Sequence, residues 1–124
     1  MNKKLLIVDD EELVIKAIKQ KFELEGFDVI SDMNGNDALK IAQKEHPDII
    51  LIDVSIPGIN GNEMVKELRK DDWGKTVPVM FITNSLGLNH LVEPTEYGPQ
   101  DFLVKSDWKL SDIVSKVKTS LKIN

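Results

Sequence analysis

Apolar positions along the chain fall into two alternating patterns. Leu5-Leu6-Ile7-Val8 is an unbroken apolar run that stops at Asp9-Asp10-Glu11-Glu12. A short continuous run bounded by acids is what a strand buried on both faces presents. From Glu11 to Leu24 the apolar residues Leu13, Val14, Ala17, Ile18 and Phe22 recur at helical spacing, with Lys16, Lys19, Gln20 and Glu23 between them. This predicts an amphipathic helix. Acids in its first turn suit the positive end of the helix dipole. Gly26 ends it, and Phe27-Asp28-Val29-Ile30 predicts a shorter second strand.

The unit then repeats. Asn36 to Lys44, with Ala38, Leu39, Ile41 and Ala42, predicts a second helix stopped by Pro47. Ile49-Ile50-Leu51-Ile52 is the most apolar run in the chain and ends at Asp53. Pro57-Gly58 and Asn60-Gly61 mark a loop, and Asn62 to Lys70, with Met64, Val65 and Leu68, predicts a third helix. Val77 to Ile82 predicts a fourth strand ending at Thr83. Phe102-Leu103-Val104 predicts a fifth ending at Lys105. Leu110, Ile113, Val114, Val117 and Leu121 follow the i, i+3, i+4, i+7 pattern of a final helix. Between Asn84 and Gln100, Gly87, Pro94, Gly98 and Pro99 disfavour a long helix. One or two turns near Asn89 to Glu93 are expected there.

Five strand-helix units predict an α/β fold, an open doubly wound parallel sheet with helices on both faces, in a single domain spanning 1–124. A chain of 124 residues is too short for a closed eight-stranded barrel. It can bury roughly two-thirds of its unfolded surface, so it needs no disulfide or structural metal to fold.

Composition narrows the chemistry. Sixteen Lys and Arg against 21 Asp and Glu give a net charge of −5, which opposes binding to nucleic acid or to an anionic membrane. There is no Cys and there are only two His, so thiolate zinc sites, cysteine nucleophiles and multi-histidine metal sites fall away. No signal-peptide core or membrane-length apolar run is present, and a cytoplasmic location is expected.

In open α/β sheets, ligands bind beyond the carboxyl ends of the strands. Those ends carry Asp9 and Asp10, Asp53, Thr83 and Lys105: three carboxylates, one hydroxyl and one ammonium on one rim. Each has a plainer reading alone. The acids after strand one complement a helix dipole, Asp53 caps a strand end, Thr83 forms a turn and Lys105 is a solvated charge. Together they suit one reaction. Crowded carboxylates repel, which should raise the proton affinity of at least one of them, and a divalent cation resolves the conflict. With only oxygen donors available, Mg²⁺ is the natural candidate. A carboxylate beside Mg²⁺, with a hydroxyl and a lysine nearby, can attack phosphorus and become an acyl phosphate. Asp53, alone at the end of its strand, is the expected nucleophile.

The same segments carry a family resemblance. Leu6-Ile7-Val8-Asp9-Asp10-Glu11, Pro47-Asp48-Ile49-Ile50-Leu51-Ile52-Asp53, Ile56-Pro57-Gly58-Ile59-Asn60-Gly61, Val79-Met80-Phe81-Ile82-Thr83 and Asp101-Phe102-Leu103-Val104-Lys105 occur in order. With them the chain resembles the receiver domain of two-component response regulators. The resemblance implies the flavodoxin-like strand order 2-1-3-4-5. It implies that Asp53 is phosphorylated by a phosphohistidine on a histidine kinase or histidine phosphotransfer protein. It implies that Asp10, Asp53 and the backbone carbonyl of Ser55 ligate Mg²⁺, with Asp9 acting mainly through water. Thr83 and Lys105 would bind the phosphoryl group, and Phe102 would be a switch aromatic. Such a domain is a switch that binds a partner, not an enzyme with a separate substrate. No output domain is visible, so the chain is either a stand-alone regulator or part of a longer protein.

The sequence departs from the family pattern in four places. Ser106 follows Lys105 where the family has a proline with a cis bond. Asn84 follows Thr83 where a small residue is usual, which should narrow access to Asp53. Pro94 and Pro99 disturb the region of the fourth helix. Ser55 is small and polar, which should leave room for an attacking water. Asn84, Ser106 and the two prolines keep a second class open, a receiver-like interaction scaffold that is not phosphorylated. A third, an aspartate-dependent phosphohydrolase, commonly needs an acid two residues after its nucleophile, and that position is Ser55. Flavin and nucleotide phosphate loops are absent.

Overall fold

The computed structural model describes residues 2–53, 56–83, 100–104 and 109–123, with main chain only at 83 and 100–104. Expectations for Ser55, for Asn84 to Pro99, and for Lys105 and its bond to Ser106 lie outside the described residues. The elements are β1 (Lys4–Val8), α1 (Glu12–Leu24), β2 (Asp28–Asp32), α2 (Gly35–Glu45), β3 (Ile49–Asp53) and α3 (Gly61–Leu68). There follow a short 3₁₀ turn at Trp73–Lys75, then β4 (Val79–Thr83), β5 (Gln100–Val104) and α4 (Leu110–Ser120). The five strands form one parallel sheet in the order β2-β1-β3-β4-β5, the doubly wound order that the family resemblance implies.

Period-two alternation sorts the strand side chains into two cores. Leu5, Ile7, Ile49, Leu51, Met80 and Ile82 face Ile15, Ile18 and Phe22 of α1 and Ile113, Val114 and Val117 of α4. Leu6, Val8, Ile50, Ile52, Val79 and Phe81 face Ala38 and Ala42 of α2 and Met64, Val65 and Leu68 of α3. Every residue from Ile49 to Ile52 is fully buried. That explains why β3 is the most apolar run in the chain: it sits between two strands and beneath helices on both sides.

Edge position explains where the sequence pattern fell short. β2 runs on to Asp32 in register with Val8. Its outer residues are only partly buried, so Ser31 and Asp32 carry no apolar signal. β4 begins at Val79, not Val77, because Pro78 has no N–H to donate; its carbonyl still accepts from Ile50 at 3.1 Å. The 3₁₀ turn was not expected. Arg69 holds it: one guanidinium nitrogen donates to the Gly74 carbonyl at 2.6 Å and to the Val77 carbonyl at 2.7 Å. Burial lowers the proton affinity of this guanidinium, while Arg remains charged at any working pH.

Local chemistry sets the helix ends. The Asn34 side chain caps α2 by accepting from Asn36 N–H at 2.8 Å, and Asn60 caps α3 by accepting from Glu63 N–H at 2.9 Å. α1 ends at Leu24, and the chain turns away from it through Gly26, whose φ is +92°. α2 ends one residue before Pro47, at left-handed His46, whose ring stacks on Trp73 with centroids 4.5 Å apart. At the far end of the chain, Lys118 donates to Glu25 at 2.9 Å and ties α4 to α1. The hydrogen bond from Lys118 holds the Glu25 carboxyl below its ordinary range.

Candidate functional site

Strand register builds the site. Val8 pairs with Ile52, so the next residue on each strand, Asp9 and Asp53, stand side by side at the carboxyl edge. Asp53 pairs with Ile82, and Thr83 is one residue further along β4. Thr83 pairs with Val104, the residue before Lys105. A slip of one position in any pairing would send these side chains to opposite faces.

The carboxylates of Asp9, Asp10, Glu11 and Asp53 converge, each offering an oxygen within 4.8 Å of the others. Asp9 is fully buried and Asp53 is 7 % exposed, whereas Asp10 and Glu11 reach solvent. One wall of the cluster is therefore dry and the other open. Asp9 is locked into the main chain. Its N–H donates to the Asp32 carbonyl at 3.2 Å, and its Oδ1 accepts from the Glu11 N–H at 2.8 Å, where α1 begins. Asp32 in turn accepts from the N–H groups of Met33 and Asn34 at 2.8 and 3.0 Å, fixing the turn into α2.

Three of the expected site residues, Asp9, Asp10 and Asp53, are thus gathered in one place. Thr83 ends β4 and Phe102 lies in β5, both described through their main chain. Ser55 and Lys105 lie outside the described residues. Glu11 is the member that sequence reading left out. It reads as a helix-start acid, and as the residue preceding α1 it does occupy the cap position. Its side chain does not make the cap hydrogen bond, and its carboxylate lies with the other acids. The spacing Asp9-x-Glu11 was the available signal.

A second feature was not visible in the sequence. The loop after β3 rests on the first turn of α2. The Gly35 N–H donates to the Pro57 carbonyl at 2.9 Å. A Cβ on Gly35 would overlap the Ile59 carbonyl oxygen. Gly58, with φ at +81°, packs against the side chains of Asn34 and Asn36.

The donor set is all oxygen, anionic and partly open to water. Those are the preferences of a hard dication that keeps some of its waters, and the residues present fit Mg²⁺ better than a softer metal.

Comparison with known proteins accords with this arrangement. The family model of the response regulator receiver domain matches residues 5–118. The alkaline phosphatase synthesis transcriptional regulatory protein PhoP of Bacillus subtilis is 34 % identical over 122 residues, which cover 98 % of this chain and 50 % of that protein. Chemotaxis response regulator CheY4 of Vibrio cholerae superposes with a TM-score of 0.87 at 26 % identity, covering 97 % of this chain and 99 % of its own. The receiver domain of sensor histidine kinase PA1611 from Pseudomonas aeruginosa, with a magnesium ion coordinated in its active-site cleft, superposes with a TM-score of 0.86 at 22 % identity over 98 % of this chain and 99 % of its own. It shares the fold. The chain spans about half the length, or less, of the curated relatives it matches. Among the described residues, no helix is long and apolar enough to cross a membrane.

Proposed function

The chain belongs to the response regulator receiver domain family, and on that premise we propose that it is a phospho-accepting switch in which Asp53 receives the phosphoryl group. The observation that carries this reading is the convergence of the Asp9, Asp10 and Asp53 carboxylates at the ends of two strands in register. In the reaction, a carboxylate oxygen of Asp53 attacks phosphorus in a phosphohistidine of a kinase or phosphotransfer partner. The O–P bond forms, the N–P bond breaks, and the departing imidazole nitrogen is left to take up a proton. The product is an acyl phosphate. Attack of water on the same phosphorus returns the carboxylate and releases inorganic phosphate.

Asp10, Asp53 and the Ser55 carbonyl would hold Mg²⁺, with Asp9 acting mainly through water; the ion supplies positive charge to the phosphoryl oxygens. The Thr83 hydroxyl and the Lys105 ammonium would take the remaining phosphoryl oxygens. Movement of Thr83 toward the phosphoryl group would reposition Phe102 and the surface around β4 and β5, changing what that surface binds. Residues 1–124 would form one receiver unit, acting in the cytoplasm as a switch.

Mass spectrometry after incubation with acetyl phosphate and Mg²⁺ tests the proposal. One phosphoryl group on the wild type, mapped to Asp53 and absent from Asp53→Asn, is the expected result. No incorporation from acetyl phosphate or from a phosphohistidine donor would overturn it in favour of an interaction scaffold.

A further inference from the structure

We propose that Asn60-Gly61 is a site of spontaneous covalent modification, where the Asn60 amide is converted to a carboxylate, and that the fold protects the chain's other Asn-Gly pair, Asn34-Gly35, from the same reaction. The two pairs are alike in sequence and in place. Each Asn is the cap residue of a helix and each Gly is the first helical residue, Asn34-Gly35 at α2 and Asn60-Gly61 at α3. Both Asn side chains accept from N–H groups of the following turn. Both Asn carbonyls receive the first helical hydrogen bond at 2.9 Å, from Ala38 and from Met64. The pairs differ at the glycine nitrogen. The Gly35 N–H donates to the Pro57 carbonyl at 2.9 Å. The Gly61 N–H has no acceptor among the described residues, because the first turn of a helix leaves it without an intrahelical partner.

Water is the only co-reactant. The Gly61 nitrogen attacks Asn60 Cγ and gives its proton to water, and the new N–C bond closes a five-membered imide. The Cγ–Nδ2 bond breaks, and the amide nitrogen takes up a proton and leaves as ammonia. A water molecule then opens the imide at either carbonyl, and the ring nitrogen regains its proton. Opening at Cγ leaves aspartate at position 60; opening at the main-chain carbonyl leaves isoaspartate, with one more methylene in the main chain. Glycine has no Cβ to screen its nitrogen. Charge developing on Asn60 Oδ1 meets a donor already in place, the Glu63 N–H at 2.9 Å. Asn60 is exposed, so water reaches both steps. Asn34 is half-buried, and the fold opposes the reaction there. Ring closure must turn the peptide that joins Asn34 to Gly35. That peptide is held by the hydrogen bond to Pro57, and the space where a Cβ of Gly35 would lie is filled by the Ile59 carbonyl oxygen. The Asn34 N–H is tied in turn to Asp32 at 3.0 Å.

The products disturb the start of α3. Asn60 Nδ2 donates to Glu63 Oε1 at 3.1 Å, and a carboxylate in its place meets Glu63 without a proton to donate. Isoaspartate also lengthens the main chain at the cap of the helix that carries Met64, Val65 and Leu68 into the core. The test incubates the full chain near neutral pH, folded and in guanidinium chloride, and follows both sites by mass spectrometry of the peptides. In the folded protein Asn60 should react about tenfold faster than Asn34, the factor set by one hydrogen bond that must first break. In guanidinium chloride the two sites should react at similar rates. Asn60→Ser keeps a capping side chain and should remove most of the acidic species that ion exchange resolves from the aged wild type. Equal rates at the two sites of the folded protein, faster reaction at Asn34, or an Asn60 that reacts only when unfolded would overturn the proposal. An acidic species that builds up as fast in Asn60→Ser as in the wild type would do the same.

Discussion

Replacing Asp53 with asparagine keeps the shape of the side chain and removes one charge from the cluster. The carboxylate oxygens lie within 4.8 Å of one another. At that separation two unit charges repel by about 0.9 kcal/mol in water and by about 3.5 kcal/mol at an effective dielectric constant of ~20. Asp9 and Asp53 are both buried, so their repulsion lies toward the larger figure; Asp10 and Glu11 reach solvent and contribute toward the smaller. Asp53 also makes other contacts, which the variant weakens and which offset part of the gain. A net stabilisation of about 2 kcal/mol without metal follows, or roughly 8 °C in melting temperature for a domain of this size. Mg²⁺ should reverse the order. An ion that binds only the folded state stabilises it by about 2.7 kcal/mol at one hundred times its dissociation constant. The wild type should collect that gain, and the variant only a small part of it. Thermal melts of both proteins in EDTA and in a Mg²⁺ series measure all four states. A variant less stable than the wild type in EDTA, or one that gains as much from Mg²⁺, would refute the claim that the cluster is a self-repelling cation site.

Two further outcomes concern the scaffold. Arg69→Ala removes the donor that closes the turn between α3 and β4, and it leaves the Gly74 and Val77 carbonyls without that partner. A loss of about 2–4 kcal/mol in urea unfolding is expected, with Mg²⁺ affinity retained. Glu25 has a folded-state proton affinity lowered chiefly by its hydrogen bond to Lys118. Its contribution to stability is therefore present above the ordinary carboxylate range and is lost as pH falls through the lowered value. Glu25→Gln should flatten the acid limb of the stability profile, and an unchanged limb would show that the pair contributes nothing.

Much of this architecture was legible in the sequence because its causes are periodic. Leu5 to Val8 and Ile49 to Ile52 are buried on both faces and carry no polar interruption, so their strands and the acids ending them could be read directly. Parallel strands carry the residues after Val8 and Ile52 to one rim, which is why Asp9, Asp10 and Asp53 could be gathered there from the sequence, while the adjacency of β1 and β3 was implied only by the family resemblance. The failures have a different physical origin. Arg69 reaching Gly74 and Val77, and Gly35 beneath Pro57 and Ile59, are contacts to main-chain carbonyls, and a carbonyl has no sequence signature. Glu11 was read by its most common role, a helix-start acid. Its second role depends on the direction of a side chain that spacing does not specify. His46 ends α2 in a left-handed conformation ahead of Pro47, so the proline marked the right place through its neighbour.

The central claim is that strand register assembles a binding site for a hard dication beside the phosphoryl acceptor. A crystal structure grown with Mg²⁺ tests it most directly. The account predicts one ion bound through oxygen atoms of Asp10 and Asp53 at the carboxyl edge of β1 and β3. Crystals saturated with Mg²⁺ in which these carboxylates hold no ion, or point away from one another, would contradict it.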